Sequence, residues 1–142
     1  MAKIFWDTNL FIYLLEDENP LAERVTEIWD GMAARGDRLY TSALTVGEIL
    51  VRPARIGARD VEQQYLHAFR NPEITVIAFD LRIAPLYARV RGDLTIRLPD
   101  AIQLACAAAA EVDLFITNDD RLSKKQIPQI KFITSLERAP IS

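Results

Sequence analysis

Four acidic residues stand where a folded chain has no need of surface charge. Asp7 closes the apolar run Lys3-Ile4-Phe5-Trp6, and Asp119 follows Leu114-Phe115-Ile116-Thr117-Asn118. Both runs have strand length, and both give way to polar residues and an acid. Glu48 interrupts Leu44-Thr45-Val46-Gly47-Glu48-Ile49-Leu50, an otherwise apolar helix start, and Asp100 follows Pro99 at the head of the most apolar helix in the chain. Each acid alone has a structural explanation. Asp7 can cap a helix from Leu10, Thr45 and Glu48 have capping-box spacing, Asp100 and Gln103 share that spacing, and Asp119 beside Asp120 can close a turn. Caps do not explain four acids on one edge with no evident basic partner interleaved. Like charges held together disfavour ionisation, and a bound cation is the usual remedy. Oxygen-only ligands select Mg²⁺ or Mn²⁺ over zinc. A carboxylate-held ion suits phosphoryl chemistry, and hydrolysis of a phosphodiester is the natural reading.

The elements that must position these acids can be read from periodicity and breakers. The first strand, from Lys3, leads into a helix at Leu10 to Leu15. Asn19-Pro20 starts a long helix through Leu21, Val25, Ile28, Trp29 and Met32, which Gly36 ends. Arg38 to Ser42 is a second strand, Leu44 to Val51 a short helix closed by Pro53, and Asp60 to Phe69 another helix. Ile74 to Phe79 is the clearest β-branched run and a third strand. Asp80 to Arg91 reads as a helix with Pro85 in its first turns, and Leu98-Pro99-Asp100 opens an alanine-rich helix to Ala110. A fourth strand on the short apolar run within Asp113 to Asp119, a polar turn and a fifth strand at Lys131 to Thr134 complete the chain. Strands alternating with helices predict an α/β fold, a parallel sheet covered on both faces. Ligands in such sheets bind beyond the carboxyl ends of strands, where strand order reverses.

Composition narrows the setting. A chain of 142 residues fits one domain, and no apolar stretch approaches the roughly 20 residues of a membrane span. A signal-peptide pattern is absent because Asp7 interrupts the first apolar run, so a cytoplasmic protein is expected. The single cysteine, Cys106, excludes an internal disulfide and reads as core; the single His67 belongs to no ligand pattern. A formal charge of −3 argues against a strongly basic nucleic-acid binder, so a polyanion must be met locally. Arg52, Arg55 and Arg59 fall together in one predicted loop and could touch phosphates, although a solvated connection explains them as well.

The stretches Phe5-Trp6-Asp7-Thr8-Asn9, Thr41 to Leu50, Leu98 to Ala105 and Phe115 to Leu122 resemble, in order, the four motifs of PIN-domain nucleases, and most of all VapC-type toxins. The resemblance spans nearly the whole chain. It implies a single PIN-like domain over 1–142 with strand order 3-2-1-4-5, Mg²⁺- or Mn²⁺-dependent endoribonuclease activity, a homodimer, and a cognate antitoxin as inhibitor. It further implies that Asp7 and Asp100 are the main metal ligands, Glu48 a ligand or water-orienting base, and Asp119 a ligand of the first or a second ion. Thr8, Asn9 and Thr117 match polar positions that would orient the carboxylates. Asp119 is preferred to Asp120 because it immediately follows Thr117-Asn118; Asp93 is a further acid near Asp100, read as a solvated loop residue.

Three other readings compete. A phospho-receiver domain would need adjacent acids after strand one and a lysine after strand five, whereas Thr8 follows Asp7 and Lys131 precedes the last strand. A phosphatase with two acids one residue apart is disfavoured by Asn9. The third is a PIN-like domain that has lost catalysis and serves only as a binding scaffold, against which the presence of all four acids speaks.

Overall fold

The computed structural model describes residues 1–16 and 18–141. Its five strands are β1 (Lys3–Trp6), β2 (Arg38–Ser42), β3 (Ile74–Ile77), β4 (Leu114–Thr117) and β5 (Phe132–Ser135). They form one parallel sheet in the order β3-β2-β1-β4-β5. Side chains alternate across it. Ile4, Trp6, Leu114 and Ile116 enter one core, while Phe5 and Phe115, in register on β1 and β4, stack at 4.9 Å in the other.

Helices cover both faces. On the first lie α1 (Thr8–Leu15), α2 (Ala22–Arg35), α3 (Ala43–Arg55) and α4 (Arg59–Phe69); on the second, α5 (Ala84–Val90), α6 (Leu98–Ala109) and the short α7 (Asp120–Ser123). The apolar stripe Val25, Ile28 and Met32 seats α2, and Gly36, left-handed at φ 71°, ends it. In α6 small residues Ala101, Ala105, Ala107 and Ala108 are fully enclosed, which lets the helix lie close against the sheet. Cys106 is buried among them, and burial pushes its thiol pKa up to about 11. His67 is exposed on α4.

The chain leaves β1 toward β2 and β3 on one side, then returns through α5 and α6 to add β4 on the other. Strand order therefore reverses between β1 and β4, and the crevice lies beyond their carboxyl ends. There the Asp7 N–H still donates to the Ile116 carbonyl at 3.0 Å, tying the two strand ends together.

Several boundaries differ from the sequence expectation. Helix α1 begins at Thr8 because Asp7 is its N-cap, and α2 begins at Ala22, since Asn19 and Pro20 form a turn in which the Asn19 side chain accepts from the Leu21 N–H. Pro53 does not end α3. Proline interrupts one backbone bond at a cost of about 3 kcal/mol, offset here by burial of its ring; the stop is Gly57, left-handed at φ 70°. Consequently Arg52 and Arg55 are helical and Arg59 opens α4, so the three arginines do not share a loop. β3 stops at Ile77 and α5 waits until Ala84, as Pro85 is accepted only in the first turn. The polar turn after β4 holds α7, and β5 lies one residue later than expected.

Candidate active site

Asp7 leaves β1 in extended conformation (φ −65°, ψ 158°), which ends the strand and lets its carboxylate cap α1. Its Oδ1 accepts from the Thr8 N–H at 2.9 Å and its Oδ2 from the Thr117 hydroxyl at 2.8 Å. Thr117 is the last residue of β4, so β1 and β4 jointly fix this carboxylate. Asp7 is only 7% exposed. Burial pushes its pKa up from 3.8 to about 6; Thr117 and the Thr8 N–H oppose the rise, and the charges of Asp100 and Glu48 add to it.

Asp100 occupies the third position of α6, after Leu98 and Pro99, where an acid favours the helix dipole. It is not a cap: Arg97 is the N-cap residue, with no side-chain capping bond. Burial raises the Asp100 pKa, and Asp119 and Glu48 raise it further against the lowering by Arg97 and Arg121. Asp119 behaves oppositely. It caps α7 by accepting from the Arg121 N–H, and the Arg121 guanidinium beside it holds its carboxyl below the usual range.

Glu48 is placed by a buried chain of hydroxyl and amide groups. The Ser42 hydroxyl donates to Gln103 Oε1, and Gln103 Nε2 donates to Thr45 Oγ1 at 2.7 Å and Thr8 Oγ1 at 3.0 Å. Thr8 Oγ1 donates to Glu48 Oε1 at 2.7 Å. That commits the only Thr8 proton, so across the 3.1 Å contact with Thr45 it is Thr45 that donates. Every bond then points one way, from β2 and α6 toward Glu48. Thr45 and Glu48 do not form a capping box, because Ser42 caps α3 by accepting from the Thr45 N–H. Gln103 is likewise not the partner of an Asp100 cap.

The structure thus places Asp7, Glu48, Asp100 and Asp119 near enough for their charges to act on one another, Asp100 feeling both Glu48 and Asp119 and Asp7 feeling Asp100 and Glu48, with Thr8 and Thr117 bonded to two of them. Asn9 is half-buried on the first turn of α1, and among the described residues its side chain makes no hydrogen bond. Asp120 is exposed on α7, and Asp93 is tied by Thr95 and Lys125, whose ammonium holds it well below the usual carboxylate range. Arg52 lies one turn beyond Glu48, and both line an apolar cleft of about 300 Å³ with Ile12, Leu15, Pro53 and Tyr65. Arg55 and Arg59 are exposed outside that cleft.

Sequence reasoning missed two sets of residues. Gln103, Thr45 and Ser42 form the network behind Glu48, and a lone glutamine in an alanine-rich helix was the available signal. Arg97 and Arg121 correct the expectation of acids without basic partners: Arg97 lies 3.7 Å from Asp100 and 3.5 Å from Asp119, and Arg121 3.0 Å from Asp119. Arginine at i−3 of one acid and i+2 of the other reaches back because both acids sit at helix starts.

The donor set is oxygen-only, and the buried Asp7 has acids as its charged neighbours, which fits a hard divalent ion. Among the described residues no three His, Cys, Asp or Glu side chains already stand close enough to share one.

The PIN domain family model matches residues 4–127. Among curated proteins nothing matches. Among solved structures, VapBC2 of Rickettsia felis, bound to a promoter DNA fragment, is similar with a TM-score of 0.72 at 16% identity, covering 94% of this chain and 98% of that one. The Mycobacterium tuberculosis toxin VapC20, described as cleaving the sarcin–ricin loop, gives 0.69 at 15% over 89% and 98%. A toxin–antitoxin complex from Klebsiella pneumoniae gives 0.64 at 24% over 89% and 94%. At these identities the likeness is one of fold.

Proposed function

The chain belongs to the PIN domain family, and on that footing we propose that it is a Mg²⁺- or Mn²⁺-dependent endoribonuclease, the toxin of a toxin–antitoxin pair. The observation that carries the reading is Asp7, a buried acid at the strand-order reversal whose charged neighbours, Asp100 and Glu48, are themselves acids. Burying such a group is unfavourable unless a cation joins it, and this is the side of the sheet where ligands bind. Strand order also separates the alternatives, since the flavodoxin-like order of receiver domains is 2-1-3-4-5, not the order found here.

Asp7 and Asp100 would hold the ion, with Glu48 as a further ligand or as the base that orients water, and Asp119 as a ligand of the same or a second ion. When bound, the ion supplies a water ionised near neutral pH and screens the phosphate charge. The protein supplies the rest. Thr117 and the Thr8 N–H fix both oxygens of Asp7, and the chain through Gln103 has Glu48 accept from Thr8 through Oε1, so that Oε2 can meet water. The expected partners are RNA, an antitoxin protein and a second copy of the chain in a homodimer, with the cytoplasm as setting. The similar toxin–antitoxin structures support the antitoxin, and no helix among the described residues is long and apolar enough to cross a membrane.

The test is cleavage of structured RNA with and without divalent ions. Excess EDTA should abolish cleavage, and Asp7→Asn should lower it by about 100-fold or more while the circular dichroism stays native, as loss of a ligand disturbs both ion position and water activation. Full activity in EDTA or in Asp7→Asn rejects the mechanism.

A further inference from the structure

We propose that Arg97 and Arg121 form an exchangeable counterion pair: they neutralise Asp100 and Asp119 until a divalent ion binds, and then turn to phosphate oxygens of the RNA. The proposal rests on the nuclease reading above. Arg97 reaches both acids, with Nε 3.7 Å from Asp100 Oδ2 and Nη2 3.5 Å from Asp119 Oδ2. Arg121 clasps Asp119 through Nε at 3.2 Å and Nη2 at 3.0 Å.

The two sides of these contacts differ in freedom. The Asp100 and Asp119 side chains are 18% and 17% exposed, and the Asp119 N–H is anchored to Thr117 Oγ1 at 3.0 Å. The arginine side chains are 63% and 61% exposed. The acids are therefore fixed parts of the crevice, and the guanidiniums are arms reaching in from solvent. Ion pairs this exposed contribute little and can be exchanged at small cost. A divalent ion attracts the same oxygens more strongly and releases the arms.

Once released, the arms stand beside the acid cluster on two elements, Arg97 at the start of α6 and Arg121 on α7. A planar guanidinium fork matches phosphate oxygens. Charge agrees with this exchange. One divalent ion carries the same charge as the two guanidiniums it displaces, so the acid cluster keeps its charge balance when they leave. A protein of net charge −3 then has two cations free where the polyanion must approach. Arg52, Arg55 and Arg59 have no such link to the acids, so their contribution to RNA binding does not depend on the ion.

Arg97→Gln and Arg121→Gln, each as a single variant, test this in the intact chain, with Arg38→Gln, at the opposite end of the sheet, as the charge-matched control. Mn²⁺ alone is titrated by thermal melting. A fluorescein-labelled single-stranded RNA 20-mer is then bound in EDTA and in Ca²⁺, which replaces Mn²⁺ to hold off cleavage. The variants should bind Mn²⁺ about 1.5- to fivefold tighter than the control, the size of an exposed ion pair removed. They should bind RNA weaker than the control in Ca²⁺ but equally in EDTA. Mn²⁺ affinity no tighter than the control's, or an RNA defect equal in both conditions, overturns the proposal. A wild-type protein that binds no Mn²⁺ rejects the metal site itself, and this proposal with it, whereas normal wild-type binding with unchanged variants rejects the arginine pair alone.

Discussion

Asp7 shows at one residue how the site works against the fold. Its pKa is 3.8 in an ordinary setting and about 6 when buried, so between these values the folded state holds the proton that the unfolded chain has released. Stability therefore falls as pH rises from about 4 to about 6, and the loss of about 3 kcal/mol is complete above that window. Asp7→Asn carries no charge to bury. In urea unfolding with EDTA, the variant should gain on wild type by about that amount between pH 4 and pH 7; a constant difference would mean that Asp7 ionises as freely in the fold as outside it. Gln103 has the opposite character, since it satisfies three buried hydroxyls and strengthens the fold. Gln103→Leu strands the Ser42 hydroxyl and removes both amide donors, which should cost about 1 to 3 kcal/mol in the same measurement. No loss would show that the hydroxyls find other partners. This role was illegible in sequence, because three residues after Asp100 a glutamine looks like a capping partner, and only the packing of α6 against β2 brings it to Ser42.

At the scale of elements, legibility followed the physics that each residue obeys locally. β1 and β4 are legible because strands buried on both faces are largely apolar and end where polar residues begin; the placing of Asp7 and Asp119 at strand ends comes from that edge. Pro53 was misread because its local preference, to break a helix, is overridden by burial of its ring. With it went the shared loop of arginines, since Arg52 and Arg55 belong to the last turns of α3 while Arg59 begins α4. The three still cluster at one helix junction. If they meet RNA phosphates, replacing all three by glutamine should weaken binding of every RNA alike and flatten the slope of log K against log salt by up to about 2 to 3, because fewer counterions are released. An unchanged slope in fluorescence anisotropy would return them to a solvated surface.

For the whole molecule, the crevice is a cost that two cores must offset. Phe5 and Phe115 on one side of the sheet, and Trp6, Ile116 and the helices over them on the other, hold strand ends together whose acids repel. Asp100 measures the cost without disturbing either core. Its pKa is raised, so its charge opposes folding at neutral pH, even with Arg97 beside it. The losses from Asp100→Asn are small: an exposed ion pair contributes about 0 to 1 kcal/mol, and an acid at a helix start about 0.3 to 1 kcal/mol. Because Asp100 is not the cap of α6, no capping bond is lost. Relief of burial and repulsion should therefore leave the metal-free variant melting at or above the wild-type temperature. Metal reverses the order. An ion that binds only the folded state stabilises it by about 2.7 kcal/mol at a hundredfold excess over Kd, which for a chain of this size raises Tm by roughly 5 to 10 °C. Wild type should show that shift with Mn²⁺, and Asp100→Asn less than half of it. Equal shifts in the two proteins would remove Asp100 from the metal site and leave it only the first turn of its helix to serve.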